Sequence, residues 1–293
     1  MSDQPSHQSS DERQPDLPSL TLSIARSAAL WKRPATAATV LPEQERQVRG
    51  WRVPVDRLAG YRQLLGSSAH LPIAFPQLPV MAMTMDLVSQ WSFPVRAMGM
   101  VHMGAVVEAL GALPVDEPWD LRVWSTSGRH VRAGLEFDVW GEIAVAGEPA
   151  WRSRAVYLSR SRPASGAEVS AVPSVAMDAG WPDEQLLDVP EGTGRAFARL
   201  TGDINPIHLH GLPARAFGFR RAIAHGWWIA GRVAAVLDLD EAVPGRTLEI
   251  AFRKPVDLPS TPTLRSRPEA AGVAFALVSG DGERPLAMGS ILG

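Results

Sequence analysis

The sequence predicts an α+β chain of two like units, each a curved antiparallel sheet wrapped around one buried helix, and three observations carry that expectation. Residues 75–91, FPQLPVMAMTMDLVSQW, are apolar on nearly every face up to Asp86, so something must wrap them. Runs of strand character follow over 96–160. The same order then returns, with an apolar helix over 227–237 and four more strand-like runs. A buried helix followed by about four antiparallel strands is the order of a hot-dog unit, and two in one chain predict a double hot dog with the two sheets joined side by side.

Taken in order, residues 1–18 are polar and broken by proline, without the charged-then-apolar order of a signal peptide, and read as a disordered tail. The first unit is expected over 19–165. Short helical patterns at 23–31 and 55–65 lead to the buried helix of 75–91, entered through Pro79. VRAMGMVHM, DLRVWSTS, HVRAGLEFDVWGEIAVAG and EPAWRSRAVYLSR, divided by Gly, Pro and Asp, read as its strands. Residues 166–190, rich in Pro, Ser, Gly and Ala, read as a linker. The second unit, 191–293, opens with a helix over 193–200. After the helix of 227–237 come RTLEIAFRKPVDL, TPTLRSRPE, GVAFALVSG and RPLAMGSIL. A faint echo links 135–139, LEFDV, with 250–254, IAFRK.

Composition narrows the function. The 293 residues include 45% apolar residues and 10 tryptophans, which fits a globular protein with a sizeable core. A formal net charge of −2 and the lack of a Lys/Arg-rich run give no reason to expect nucleic acid. With no cysteine there is no disulfide framework, thiolate metal site or cysteine nucleophile. The most apolar stretch, 71–85, holds three prolines and is followed by Asp86, so no membrane span is expected and the chain reads as soluble and cytoplasmic.

The chemistry concentrates in residues 197–237. Asp203, Asn205 and His208 fall within six residues, and His210, His225 and Gly226 follow. On a continuous helix Asp203 and His208 would point to different sides. Pro206 prevents that helix by pushing Asn205 into an extended or turning conformation, and Gly202 stops the helix before it. The resulting bend lets a carboxylate and an imidazole face one small volume, an arrangement suited to taking a proton from one side of a reacting group and returning one to the other. At the start of the next helix, the N–H of Gly226 has no partner inside the helix and can hold a carbonyl oxygen as it gains charge.

The run TGDINPIHLH, with AHG downstream, resembles the signature of the MaoC-like hydratase 2 family, whose members hydrate trans-2-enoyl thioesters or dehydrate (3R)-3-hydroxyacyl thioesters. The resemblance implies a hydro-lyase in which Asp203 and His208 are the catalytic pair, Asn205 holds the loop and Gly226 supplies the oxyanion amide. It implies a substrate carried by coenzyme A or acyl carrier protein, and a homodimer; no metal or redox cofactor is expected, because the thioester carbonyl already makes the α-proton acidic. It also implies a first unit that has lost the chemistry and shapes the acyl pocket, with 71–85 as its wall. Trp227, where the family often has methionine, and Ile204, where it often has an aromatic residue, depart from the pattern and reshape that pocket. His225, Trp227, Arg220 and Arg221 are the candidate substrate-binding residues, and Arg215 and Lys254 are further candidates for meeting phosphates.

Each feature also has a plainer reading. Asp203 can be a turn residue that caps a helix, His208 a packed histidine, Gly226 a close-packing residue, and the arginines a solvated face. His208, His210, His225 and Asp203 together can be read as metal ligands, but the proline turn argues for different directions. His70, His102 and His130 in the first unit stand alone. A rival from another class is a hot-dog protein that binds acyl thioesters or a partner subunit without turning them over.

Overall fold

The computed structural model describes residues 15–29, 39–160 apart from 98 and 127, 167–173, and 181–293 apart from 283. Most of the expected tail lies outside them. Helix α1, Leu20–Ala29, leads to the first unit: β1 Gln44–Trp51, α2 Val55–Leu65, α3 Gln77–Ser89, β2 Val101–Ala109, β3 Trp119–Ser125, β4 Arg129–Val131, β5 Gly134–Val145 and β6 Glu148–Arg160. The second unit repeats the plan with β7 Asp183–Leu186, α4 Thr193–Thr201, α5 Pro206–Leu209, α6 Gly211–Ala216, α7 Gly226–Val236, β8 Thr247–Phe252, β9 Thr263–Glu269, β10 Gly272–Val278 and β11 Pro285–Leu292.

The strands form one antiparallel sheet in the order β1-β3-β5-β6-β2-β8-β11-β10-β9-β7, with β4 paired to β5 alone. From the seam outward each half runs alike: the strand after the buried helix, the last strand, the two before it, then the edge strand that precedes the helix. The halves join through β2 and β8, from Gly104 opposite Ala251 to Glu108 opposite Thr247. This is the side-by-side double hot dog that the order of elements predicts.

Helix α3 has no polar face to give to water, and all of it is buried except Met85 and Asp86. The sheet wraps one side and α1 lies on another, tied by Arg26 to Asp86 at 2.7 Å while Arg46 of β1 reaches the same carboxylate at 3.2 Å. Each fully buried Leu, Met or Val along α3 contributes roughly 1.5–3 kcal/mol. Residues 71–85, expected to wall an acyl pocket, are packed as core of the first unit, with Ile73, Phe75 and Met83 fully buried.

Several boundaries differ from expectation for identifiable reasons. Strand β2 begins at Val101 and runs through Gly104, whereas the sequence suggests an end there. Gly104 sits where the seam closes: a Cβ on it would lie 2.6 Å from the Ile250 carbonyl oxygen, so only glycine fits. The expected linker of 166–190 contains β7, which pairs with β9 and so completes the second sheet. Strand β1 also escapes the sequence reading. The echo between 135–139 and 250–254 joins strands that do not correspond, since β5 is the counterpart of β10 and β8 that of β2.

Candidate active site

The motif folds into a tight hook. Helix α4 stops at Gly202, which takes the left-handed conformation at φ 83° and donates its N–H to the Ala198 carbonyl. The Asp203 N–H bonds Thr201 Oγ1 at 3.1 Å, and the Asp203 carboxylate then accepts the Asn205 N–H at 3.1 Å. Asn205 is held extended, at φ −55° and ψ 122°, as the following proline requires. Pro206 starts α5, a single turn whose amide at Ile207 is capped by Asn205 Oδ1. That turn carries His208 back toward Asp203.

Two bonds pin the hook to the strand-like segment before α7: Ile223 donates its N–H to the Ile207 carbonyl at 3.0 Å, and His208 Nδ1 lies 2.8 Å from the Ile223 carbonyl oxygen. Because a carbonyl only accepts, Nδ1 carries the proton and Nε2 is left as a lone-pair acceptor. Burial lowers the His208 pKa below that of an ordinary histidine, against the upward pull of the Asp203 charge and the Ile223 carbonyl, so the imidazole is neutral near pH 7. Helix α4 supports the loop from below. At Gly194 a Cβ would fall 1.9 Å from the His208 carbonyl oxygen, so the two backbones touch only because that residue is glycine.

His225 completes the cluster from behind. Its ring stacks on His208 with centroids 3.7 Å apart and planes 26° from parallel, and Phe197 packs on its other side at 4.8 Å. His225 Nε2 donates to the Asp203 backbone carbonyl at 3.3 Å and lies 3.7 Å from Oδ2. At 3% exposed it braces the pair and offers substrate no surface, in contrast to the binding role expected for it. Burial, then the cost of placing a second positive charge beside His208, push its pKa well down, and it too is neutral.

Polar atoms of Asp203, His208 and His225 lie within 4.8 Å of one another, which is compatible with a metal by distance alone. The ring geometry opposes it. Two imidazoles stacked nearly face to face direct their in-plane lone pairs alongside each other and not at one ion. His210 is exposed and, on the far side of the α5 turn, is not among the three.

Gly226 is the first residue of α7, so its N–H has no acceptor within the helix. The lack of a side chain also has a packing reason: a Cβ would meet the Phe252 ring at 3.0 Å and His102 Nδ1 at 3.1 Å. Trp227 is buried with its ring 5.1 Å from His102. Arg215 is exposed in the last turn of α6, Arg220 and Arg221 are exposed on the turn that follows it, and Lys254 is exposed just after β8. None of the four has an ion-pair partner among the described residues.

His102 does not stand alone. It comes from β2 of the first unit, and its ring packs at 5.2 Å on Tyr157, 5.1 Å on Trp227 and 5.0 Å on Phe252. Its Nε2 is buried without a hydrogen-bond partner, and burial lowers its pKa to about 4. Tyr157, also from the first unit, is near enough for burial and the Asp203 charge to raise its phenol well above the ordinary value. The half without the motif therefore reaches the site through two aromatic side chains. No local pattern in the sequence marks them, because the seam joins residues far apart in the chain.

Residues 165–267 match the family model described as MaoC like domain. The chain is 28% identical over 236 residues to the 3-hydroxyacyl-thioester dehydratase X of Mycobacterium tuberculosis, covering 78% of this chain and 83% of that one. It is 43% identical over 63 residues to the 3-hydroxybutyryl-CoA dehydratase of Methylorubrum extorquens, a span of 20% of this chain and 40% of that one. The crystal structure of HtdX from Mycobacterium tuberculosis matches with a TM-score of 0.70 at 26% identity, covering 84% of this chain and 99% of that one. A MaoC-like dehydratase from Phytophthora capsici shares the fold, with a TM-score of 0.67 at 16% identity over 86% and 95% of the two chains.

Proposed function

We propose that this chain, whose MaoC-like domain spans residues 165–267, is a hydro-lyase that reversibly hydrates trans-2-enoyl thioesters and dehydrates (3R)-3-hydroxyacyl thioesters. The observation that carries the reading is the hook that sets the Asp203 carboxylate beside a neutral His208 whose Nε2 is free to accept a proton. In hydration, a water held between the two adds its oxygen to the β-carbon. The pair takes one proton from that water and returns one to the α-carbon, so that the elements of water, and nothing else, are gained. Asp203 and His208 act as one coupled unit in this exchange. The Gly226 N–H steadies the thioester oxygen while it carries enolate charge. Asn205 holds Asp203 in place through its backbone N–H and holds α5 through its side chain.

His225 positions the pair, Trp227 walls the acyl side, and Arg220 and Arg221 meet the charged carrier. The setting is cytoplasmic and the working unit a homodimer; no helix among the described residues is long and apolar enough to cross a membrane. The test of the activity is to mix purified protein with crotonyl-CoA and follow the enoyl-thioester absorbance. Loss of that signal with no release of free thiol supports the reading. An inert protein that still binds the thioester supports the non-catalytic rival.

A further inference from the structure

The first unit brings one hydroxyl to the catalytic pair that the steps above leave unused. Tyr157 of β6 stands opposite His102 of β2, and two residues on from His102 the seam pairs Gly104 with Ala251 of β8. Tyr157, His102 and Phe252 therefore follow one another across three strands. The pairing of β2 with β6 shifts register between His102 and Gly104, a bulge of the kind that re-aims a side chain. His102 Nδ1 comes to lie 3.1 Å from where a Cβ on Gly226 would stand. The residue before Gly226 is His225, whose Nε2 reaches the Asp203 carbonyl at 3.3 Å, so the aromatic row ends at the catalytic hook. Stacking on His102 at 5.2 Å and on Phe137 at 5.9 Å fixes the Tyr157 ring, which is 9% exposed. Its hydroxyl makes no hydrogen bond among the described residues, and it is not sealed from solvent as the Tyr61 hydroxyl is.

The two first-unit rings face different parts of the site. His102 abuts the Gly226 backbone, while Tyr157 feels the Asp203 charge, which together with burial holds its phenol above the ordinary range. A phenol so placed keeps its proton at neutral pH and serves as a donor, neither a base nor a proton carrier. No hydrogen bond joins it to Asp203 among the described residues, so an oxygen held by Asp203 can stand between them. We infer that the Tyr157 hydroxyl donates a hydrogen bond to the oxygen on C3 of the substrate, the hydroxyl that leaves in dehydration and the water that adds in hydration. The inference rests on the hydratase reading above. In dehydration the C3–O bond breaks, the Asp203–His208 pair takes a proton from the α-carbon and gives one to the leaving oxygen, and Tyr157 shares the charge that builds on that oxygen. Its own proton stays in place, so the balance of the reaction is unaltered. Each unit then holds one substrate oxygen, the second through the Gly226 amide and the first through Tyr157.

The experiment compares the full chain with Tyr157→Phe, which removes the hydroxyl and keeps the ring. Two unreactive inhibitors read the contact: acetoacetyl-CoA, with an oxygen on C3, and butyryl-CoA, without one. In the variant, kcat/KM should fall about tenfold or more for hydration of crotonyl-CoA and by the same factor for dehydration of 3-hydroxybutyryl-CoA. The inhibition constant of acetoacetyl-CoA should rise about tenfold while that of butyryl-CoA holds, a split that a merely structural role would not produce. Native-like kcat/KM in the folded variant, or an equal rise for both inhibitors, overturns the inference and leaves the hydratase reading standing. The chain has 2 tyrosines, which allows a second readout that needs no substitution. With 3-fluorotyrosine at both, Tyr61, fully buried, serves as the internal standard. The Tyr157 fluorine signal should move with acetoacetyl-CoA and hold with butyryl-CoA; signals that both hold, or that respond alike to the two ligands, overturn the inference even if the variant fails to fold. Absence of turnover of crotonyl-CoA by the native chain removes the hydratase reading, and the fluorine titration still decides whether Tyr157 meets an oxygen on C3.

Discussion

Replacing Gly194 with alanine should disable the site without touching any group that handles a proton. The new Cβ would lie 1.9 Å from the His208 carbonyl oxygen and 3.0 Å from its carbonyl carbon, where real contacts do not fall below 3.0 Å. The backbones of α4 and the hook must therefore part by at least 1.1 Å, the difference between those two distances. Helix α4 has little room to yield, because Phe197 is fully buried between Tyr61 and His225. The displacement falls on His208 and strains its bond to the Ile223 carbonyl. A misplacement of about 1 Å in a catalytic group costs on the order of 10²-fold in rate, and the overpacking costs roughly 1–3 kcal/mol of stability. The assay is the initial rate of crotonyl-CoA hydration, with kcat and KM separated and the fold checked by circular dichroism. Gly192→Ala is the control, since its Cβ meets nothing within 4 Å. A folded Gly194→Ala protein with kcat within about threefold of the native value would refute the claim that this contact sets the position of His208.

Three further outcomes follow from the same geometry. Because burial depresses the His208 pKa, the acid limb of kcat/KM should be centred below pH 6.5; an acid limb centred at or above 6.5 contradicts the neutral imidazole. His102, with a folded pKa of about 4 against 6.5 unfolded, takes up a proton in the unfolded chain first, so its contribution is intact above pH 6.5 and is lost as the pH falls toward 4. The loss is roughly 3 kcal/mol by pH 4. Urea unfolding of His102→Phe should show a smaller acid loss than the native chain, and identical losses would contradict this. Treatment with EDTA should leave the hydration rate unchanged, because the stacked rings of His208 and His225 do not form a ligand set. A rate that collapses with chelator and returns with added metal contradicts that geometry.

What the sequence discloses depends on whether a residue's environment is local. The hook was legible because Gly202 and Pro206 dictate backbone states within a few residues of Asp203 and His208, and α2 and β6 follow their patterns to the expected bounds. The edge strands were not legible. β1 is polar and alternates half-buried with exposed positions, and β7, with the sequence DEQL, is exposed throughout, so neither shows the apolar alternation of a packed strand. Gly104 reads as a strand breaker until the Ile250 carbonyl is seen against it. His102 and Tyr157 could not be assigned to the site for the same reason, since only the pairing of β2 with β8 and β6 brings them there.

The most direct measurement follows the enoyl-thioester signal of crotonyl-CoA with the native chain, Asp203→Asn and His208→Ala side by side, each shown to be folded. The expected result is rapid hydration by the native chain and a loss of about 10²–10⁴-fold in kcat in each variant, as for removal of one member of a proton-transferring pair. Native-like turnover in either folded variant would contradict the assignment of the chemistry to that pair.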